Sequence, residues 1–275
     1  MKANLSADLI YIQWKEEYRH VLESLPGKQI YILFSGGKDS SVAMNFILRA
    51  AKEFRFDFEA HAASFPVHRY TDEEKDKIGS YWSKQGKNIM WHKTKETDEY
   101  IYNTANPCLL CQELRKKMLK NILTSSTQDW NNLVLIAGYS LWDIVSYSIE
   151  HLTSNIFSTP DNHTTVEKNK RFLETAQRFY PMMKMKEGYT IFRPLIKFNN
   201  NEIQKVVSEK DIPNLSIPCR FENLRPKKIM EKYFDKIGTG FNYNQVFDFA
   251  KKSLGLPDMS SYTSINMEEY LRNFF

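Results

Sequence analysis

A short apolar run, Gln29-Ile-Tyr-Ile-Leu-Phe34, passes directly into Ser35-Gly-Gly-Lys-Asp-Ser-Ser41, and helical apolar spacing follows at Val42, Phe46, Ile47 and Ala50. A strand, a glycine turn and a helix in immediate succession restrict the fold more than any other feature of this chain. Paired glycines allow positive φ and a close approach of backbone to ligand. At the start of the following helix, free N–H groups and the helix dipole make an anion site. Lys38 adds positive charge there, and Ser35, Ser40 and Ser41 add hydroxyl donors. Asp39 is out of place beside a phosphate unless Mg²⁺ or a donor-rich ligand meets it. The familiar nucleotide loop, G-x-x-x-x-G-K-S/T, is absent. A capped surface turn is the plainer reading, and the strand–loop–helix context argues against it.

The same alternation runs through the rest of the chain. Phe56–Phe65, Ile89–His92, Leu133–Ala137 and Ile191–Ile196 read as strands. Leu9–Leu25, Thr71–Gln85, Pro107–Ile122, Trp142–Leu152, Val166–Phe179 and Asn200–Ser208 read as helices, with a turn-rich patch at Thr159–His163. The expected class is α/β, a parallel sheet with helices on both faces. With 275 residues, 42% of them hydrophobic, the chain suits one large domain with a helical C-terminal extension. A net charge of +5 permits an anionic partner such as RNA without requiring one. The N-terminal apolar residues are interrupted by charges, and no run of 18 apolar residues occurs. The expectation is therefore no signal peptide and no membrane partner, and the small, odd number of cysteines fits a reducing cytoplasm.

Only three cysteines are present, Cys108, Cys111 and Cys219, which argues against a disulfide framework. Cys108 and Cys111 form C-x-x-C at an expected helix start, and Cys219 lies far along the chain in Ile217-Pro-Cys-Arg220. This set suits a zinc site completed by one of the six histidines, a redox dithiol, or an iron–sulfur cluster with one iron left open. Three incidental buried thiols are the plain alternative.

Ser35-Gly-Gly-Lys-Asp-Ser40 resembles the SGGxDS loop of the PP-loop, or N-type, ATP pyrophosphatases. Three further segments are similar to the tRNA 2-thiocytidine synthetase branch of that superfamily: Asn106-Pro-Cys-Leu-Leu-Cys-Gln-Glu-Leu-Arg-Lys-Lys-Met118, Phe192-Arg-Pro-Leu195, and Ile217-Pro-Cys219 with Glu222-Asn-Leu-Arg225 and Lys228. The resemblance covers about residues 28–235. It implies an adenine nucleotide alpha-hydrolase-like fold. It also implies ATP held by Ser35, Gly36, Gly37, Lys38, Asp39, Ser40 and Ser41, with Ala63, Ser64 and Gly138 near the nucleotide. Further, it implies Mg²⁺ at Asp39 and a [4Fe-4S] cluster on Cys108, Cys111 and Cys219. The expected division is an N-terminal helix at 1–27, an ATP-binding domain at 28–215, and a third-cysteine segment with its extension at 216–275. The family's G-H-N-A-D-D-like motif stands here as Gly138-Tyr-Ser-Leu-Trp-Asp143, with Tyr139 and Trp142 replacing its His and first Asp. That leaves the acceptor open.

The implied reaction adenylates a carbonyl oxygen and exchanges it for sulfur, with Lys38, Asp39, Arg115 and Asp143 as catalytic candidates. Arg115 also reads as part of a solvated helix face, and Asp143 as a helix-start residue. The acceptor is tRNA or a small nucleobase-type molecule, and the sulfur donor is sulfide or a persulfide carrier. A homodimer is compatible with this reading. For tRNA, the basic run Arg225, Lys227, Lys228, Lys232 and Lys236, with Tyr233 and Phe234 interleaved, offers phosphate contacts and stacking. An amine-using ligase and a non-catalytic ATP or redox sensor are the rival classes.

Overall fold

The computed structural model describes residues 5–156, 172–173, 175–266 and 269. Six strands form one sheet: β1 (Gln29–Leu33), β2 (Glu59–Ala63), β3 (Ile89–His92), β4 (Leu133–Ala137), β5 (Met182–Lys184) and β6 (Thr190–Phe192). Their order is β3-β2-β1-β4-β6-β5. All neighbours are parallel except β5, which runs antiparallel to β6. The chain builds from β1 out to β2 and β3, then returns to the other side of β1 with β4. That reversal opens a crevice at the C-terminal ends of β1 and β4, where open parallel sheets bind ligands. Leu33 pairs with Ala137, so the two strands end level and their following loops face each other.

Helices cover both faces, as the continuous apolar strands require. Ile30 and Ile32 of β1 and Val134 and Ile136 of β4 look into one layer. Tyr31, Leu133 and Leu135 look into the other, following the two-residue period of a strand. The first layer holds α1 (Ala7–Glu17), α2 (Arg19–Glu23), α3 (Lys38–Phe54), α4 (Asp72–Lys84) and a later helix, Asn200–Glu209. A short helix, α5 (Asp98–Tyr102), precedes α6 (Pro107–Ser126) and α7 (Leu141–His151), and these last two line the second layer. Asn200–Glu209 is α8, followed by α9 (Pro226–Lys236), α10 (Tyr243–Ser253) and α11 (Ser260–Thr263).

The apolar stripe of α3 (Val42, Phe46, Ile47 and Ala50) is fully buried against the sheet. Burying Phe46 or Ile47 contributes about 2 kcal/mol each, which holds the start of α3 against the end of β1. The C-terminal helices are part of the second core, not an appendage on it. Phe234, Ala250, Leu254 and Tyr262 are buried there, and the Phe234 ring meets Trp142 edge-on at 5.6 Å.

Several elements differ from the sequence expectation. The single helix expected at Leu9–Leu25 is broken at Tyr18, whose φ of −103° and ψ of 14° leave the helical region. The helix after the glycine loop begins at Lys38, ahead of the apolar spacing that opens at Val42, because Gly37 is its N-cap and Lys38 and Asp39 fill its first turn. The strand expected at Ile191–Ile196 ends at Phe192. Elements as short as β5 and α5 carry too few residues to show a period. The Thr159–His163 patch lies outside the described residues, as does most of the first part of the expected Val166–Phe179 helix. Its end, Gln177–Phe179, is a 3₁₀ turn. Among the described residues no helix is long and apolar enough to cross a membrane.

Candidate functional site

Ser35, Gly36 and Gly37 connect β1 to α3 at the crevice. Gly36 takes φ of +69°, and a Cβ there would lie 2.8 Å from the Leu215 side chain. Glycine is thus required for both conformation and space. Gly37 caps α3 without a side-chain hydrogen bond, so no side chain of its own competes for the first-turn N–H groups. The Ser40 hydroxyl donates to the Gly37 carbonyl at 2.9 Å and accepts from the Ser35 N–H at 3.1 Å. The Ser35 and Ser40 hydroxyls lie 3.0 Å apart. These two side chains brace the loop from within, a role the sequence reading assigned to phosphate contact. Ser41 is fully buried, and its hydroxyl has no protein partner.

Gly138, just after β4, closes the other side. A Cβ at this position would meet the Ser40 Cα at 2.8 Å, the Ser40 N at 2.9 Å and the Asp39 carbonyl at 3.0 Å. These are all backbone atoms, so only glycine lets the end of β4 touch the first turn of α3. Two residues on, Ser140 and Asp143 form a capping box at the start of α7. The Asp143 carboxylate accepts the Ser140 N–H at 2.9 Å and is completely buried.

Lys227, from α9, makes the decisive contact with that carboxylate. Its Nζ donates to Asp143 Oδ1 and lies 3.4 Å from Glu231. Lys228 meets Glu231 at 2.6 Å, and Lys38 meets Asp39 at 2.7 Å. The result is a row of alternating charges beside the glycine loop, with Asp143 and Glu231 buried and the lysines and Asp39 partly exposed. Burial pushes the Asp39 carboxyl up; Lys38 opposes this and the neighbouring Asp143 adds to it. Burial also works against ionised Asp143, but Lys227 and the Ser140 N–H outweigh it and hold this carboxyl below the usual range. The two acids are thereby split, with Asp143 the firm anion and Asp39 the one that gains most from an added cation. Lys227 keeps its proton despite burial, because Asp143, Glu231 and Asp39 surround it.

The thiols occupy the far side of the loop. Pro107 and Asn106 start α6, the Asn106 side chain accepting the Leu109 N–H at 3.1 Å. Cys108 and Cys111 therefore sit in its first turns. Cys108 Sγ lies 3.9 Å from the Phe221 carbonyl, two residues beyond Cys219. Burial pushes both thiols up; Arg225 lowers Cys108, Arg115 lowers Cys111, and Cys219 raises both. Burial thus outweighs the helix N-terminus, which alone would favour thiolate. The fold brings the three sulfurs into mutual electrostatic range. Among the described residues no group of three or more His, Cys, Asp or Glu is arranged to hold a metal ion.

Arg115 is not on a solvated face. Its Nε donates to the Phe65 carbonyl at 3.0 Å and its Nη2 to the Tyr70 hydroxyl at 2.8 Å. Tyr70 in turn donates to the Ser35 carbonyl at 3.0 Å. Ala63 ends β2 on the same rim and Ser64 follows it. Ser64 is buried with no partner for its hydroxyl, and such an orphaned group at a crevice is one a ligand can satisfy. The basic run of α9 is largely committed elsewhere. Lys227 and Lys228 face Asp143 and Glu231, Lys232 meets Glu222 at 2.8 Å, and Phe234 is core. Tyr233 remains exposed. Arg193 of the R-P-L segment is also internal, donating to the Tyr180 carbonyl at 2.9 Å and to Gln177.

The sequence reading missed Tyr70, Glu74 and Lys227 as members of this site. Glu74 is buried and accepts the Ser216 N–H at 2.7 Å and its hydroxyl at 2.5 Å, fixing the approach to Cys219. A carboxylate in the first turn of a charged helix gives no local sign of such a partner.

No family model matches the sequence, and no curated protein matches it. Among solved structures, the U34-tRNA thiolase NcsA from Methanococcus maripaludis, with its iron–sulfur cluster, is similar over 92% of this chain and 81% of its own. The TM-score is 0.67 at 17% identity. The chain has a PP-loop fold. NMN synthetase from Francisella tularensis matches at a TM-score of 0.43 and 12% identity, covering 98% of this chain and 92% of its own. NAD⁺ synthetase from Burkholderia pseudomallei matches at 0.46 and 13%, covering 92% of each chain. In this PP-loop fold the SGGxDS loop occupies the switch point between β1 and β4.

Proposed function

We propose that the protein is an ATP-dependent sulfurtransferase that converts a nucleobase carbonyl, in tRNA, to a thiocarbonyl. One observation carries the reading: Cys111 and Cys219, from two distant segments, come within electrostatic range of Arg115, which is hydrogen-bonded through Tyr70 to the glycine loop. The likeness to a tRNA thiolase fold supports it.

The chain's own residues supply most of the mechanism. The Gly36 and Gly37 N–H groups and Lys38 would bind the phosphates and meet the charge that develops on pyrophosphate. The acceptor oxygen attacks the α-phosphorus and pyrophosphate leaves, so the oxygen becomes part of an AMP leaving group. Hydrosulfide then adds at the carbon, AMP departs with that oxygen, and loss of the sulfur's proton leaves C=S. The sum is carbonyl, ATP and sulfide to thiocarbonyl, AMP and pyrophosphate, with no net redox change; a persulfide carrier would need two further electrons. Asp39, half-buried and under-compensated, is the group suited to Mg²⁺. Asp143, held ionised by Lys227, is available to take up the acceptor's proton only if Lys227 moves, so its first role is to hold α9 against the loop.

The thiol set fits an iron–sulfur cluster in donor type and charge. Three cysteines that are partly shielded from solvent sit beside the guanidiniums of Arg115 and Arg225, which offset the negative charge of a thiolate-ligated cluster. When bound by Cys108, Cys111 and Cys219, such a cluster would supply an open iron that presents sulfide. A small free acceptor is the second reading. It is favoured by the commitment of Lys227, Lys228 and Lys232 to carboxylates, which weakens the basic run that would grip RNA.

The test is anaerobic purification with iron and sulfide assays, followed by pyrophosphate release with unmodified tRNA or free nucleobases. About four irons per chain, lost in Cys108→Ala, with release stimulated by tRNA, is the expected result. Zinc or no metal under those conditions would remove the sulfur reading. Stimulation by a free base alone would move the acceptor to the small molecule.

A further inference from the structure

Two consecutive carbonyls of the glycine loop are each held by a segment that leads to a cysteine. The Ser35 carbonyl accepts the Tyr70 hydroxyl at 3.0 Å, and Tyr70 accepts from Arg115, four residues after Cys111. The Gly36 carbonyl accepts the Leu215 N–H at 2.9 Å, four residues before Cys219. A trans peptide is planar, with its C=O and N–H pointing in opposite directions. Anchoring the Ser35 carbonyl therefore sets the direction of the Gly36 N–H, and anchoring the Gly36 carbonyl sets that of the Gly37 N–H. A hydrogen bond accepted at the carbonyl also polarises the N–H of the same peptide, strengthening it as a donor. On the ATP-binding reading the Gly36 N–H is an anion donor of the loop, while the Gly37 N–H here donates to the Ser35 Oγ at 3.4 Å.

Both anchors are themselves rigid. Tyr70 is buried, and its ring meets Trp91 at 6.1 Å. The 215–220 segment is bolted along its length: Ser216 to Glu74, the Ile217 carbonyl to Arg69 at 3.0 Å, and the Arg220 N–H to His68 at 3.3 Å. His68 is in turn held by Asp98 at 2.7 Å. A displacement of the loop on binding phosphate thus has two stiff routes to the thiols and few soft ones.

We propose that Tyr70 is a positioning residue that aims the Gly36 N–H at the nucleotide's phosphates and, through Arg115, couples nucleotide occupancy to the thiols. The inference rests on the ATP-binding reading of the loop, not on the presence of a cluster or the identity of the acceptor. Coupling of this kind is reciprocal, so a change at the thiols alters ATP affinity by the same factor.

The experiment uses the full chain, reduced and free of metal, with Mg·ATP as the probe. Calorimetry gives the Kd, and mass spectrometry follows maleimide labelling of Cys111 and Cys219 with and without Mg·ATP. In the wild type, Mg·ATP changes the labelling rates severalfold. Tyr70→Phe keeps the ring and loses the hydroxyl; it weakens Mg·ATP binding roughly fivefold to tenfold, the worth of one ordinary hydrogen bond, and abolishes the labelling response. Tyr81→Phe removes a comparable hydroxyl-to-carbonyl bond, to Lys210, far from the loop, and leaves both readouts as in the wild type. Arg115→Lys keeps the charge but loses the forked geometry that holds Tyr70, and it loses the labelling response. Wild-type affinity and response in both Tyr70→Phe and Arg115→Lys would overturn the proposal while leaving the nucleotide reading intact. A wild-type chain that does not bind Mg·ATP would overturn both.

Discussion

Replacing Gly138 by alanine tests whether the end of β4 and the first turn of α3 after the glycine loop are in obligatory contact. The added methyl would sit 2.8 Å from the Ser40 Cα, 2.9 Å from the Ser40 N and 3.0 Å from the Asp39 carbonyl. None of these is a side-chain tip that can swing away. Relief requires β4 or the first turn of α3 to move by several tenths of an ångström, and Phe46, Ile47 and Ile136, all fully buried, resist that. Overpacking of this kind costs about 1–3 kcal/mol. For a chain of this size each kcal/mol lowers Tm by about 2–4 °C, so a fall of about 4–8 °C is expected for a cost near 2 kcal/mol. The same shift turns the Gly37 and Lys38 N–H groups away from their aim, and Mg·ATP affinity falls by more than about tenfold. Gly240→Ala is the matched control, since its nearest neighbour to an added Cβ is the Asn199 Oδ1 at 3.7 Å. Thermal denaturation and calorimetry with Mg·ATP read both effects. A Gly138→Ala protein with Tm within about 1 °C of wild type and unchanged affinity would refute the contact as the reason for glycine.

Lys227→Met removes the counter-charge of fully buried Asp143. The expected cost is about 3 kcal/mol near neutral pH, the low end for an orphaned buried charge because Lys227 keeps some contact with solvent. Asp143 is held low in the wild type, so its stabilisation is present above its unfolded pKa and is lost as pH falls through the folded value. The deficit of the variant therefore shrinks on acidification toward about pH 4, and urea denaturation across pH would contradict this by showing a constant deficit. Burial keeps Cys108 and Cys111 as thiols above a free cysteine's range, so maleimide labelling of the metal-free protein climbs with pH and shows no plateau below pH 9.0. Their protonated form favours the fold, and that contribution fades as pH rises through the folded values. Metal uptake must expel the same protons and is favoured at higher pH. Half-maximal labelling near pH 7 would show activated thiolates and contradict the burial argument.

Much of this architecture is visible in local pattern. Leu133–Ala137 and Ile89–His92 are apolar runs of strand length, and the structure places strands on those same residues. Gly36 and Gly37 stand where the backbone turns from β1 into α3, and positive φ at Gly36 is a demand that any chain making this turn must meet. Asp143 illustrates a mixed case. The sequence offers it as a helix-start residue, and the structure makes it one half of a capping box with Ser140, but the same carboxylate also anchors Lys227 from 84 residues away.

The sequence by itself determined the alternation of strand and helix, the glycine loop between them and the presence of three thiols on two segments, because periodicity, turn chemistry and residue type are properties of neighbours along the chain. Only the tertiary structure decided which groups share the crevice. Arg115 meets Tyr70 across 45 residues, Tyr70 meets Ser35 across 35, and Ser216 meets Glu74 across 142. It also turned Lys227 from an apparent RNA contact into the partner of a buried acid. Such pairings follow from the order in which strands join the sheet and the helix layers that cover it, and no local pattern encodes that order.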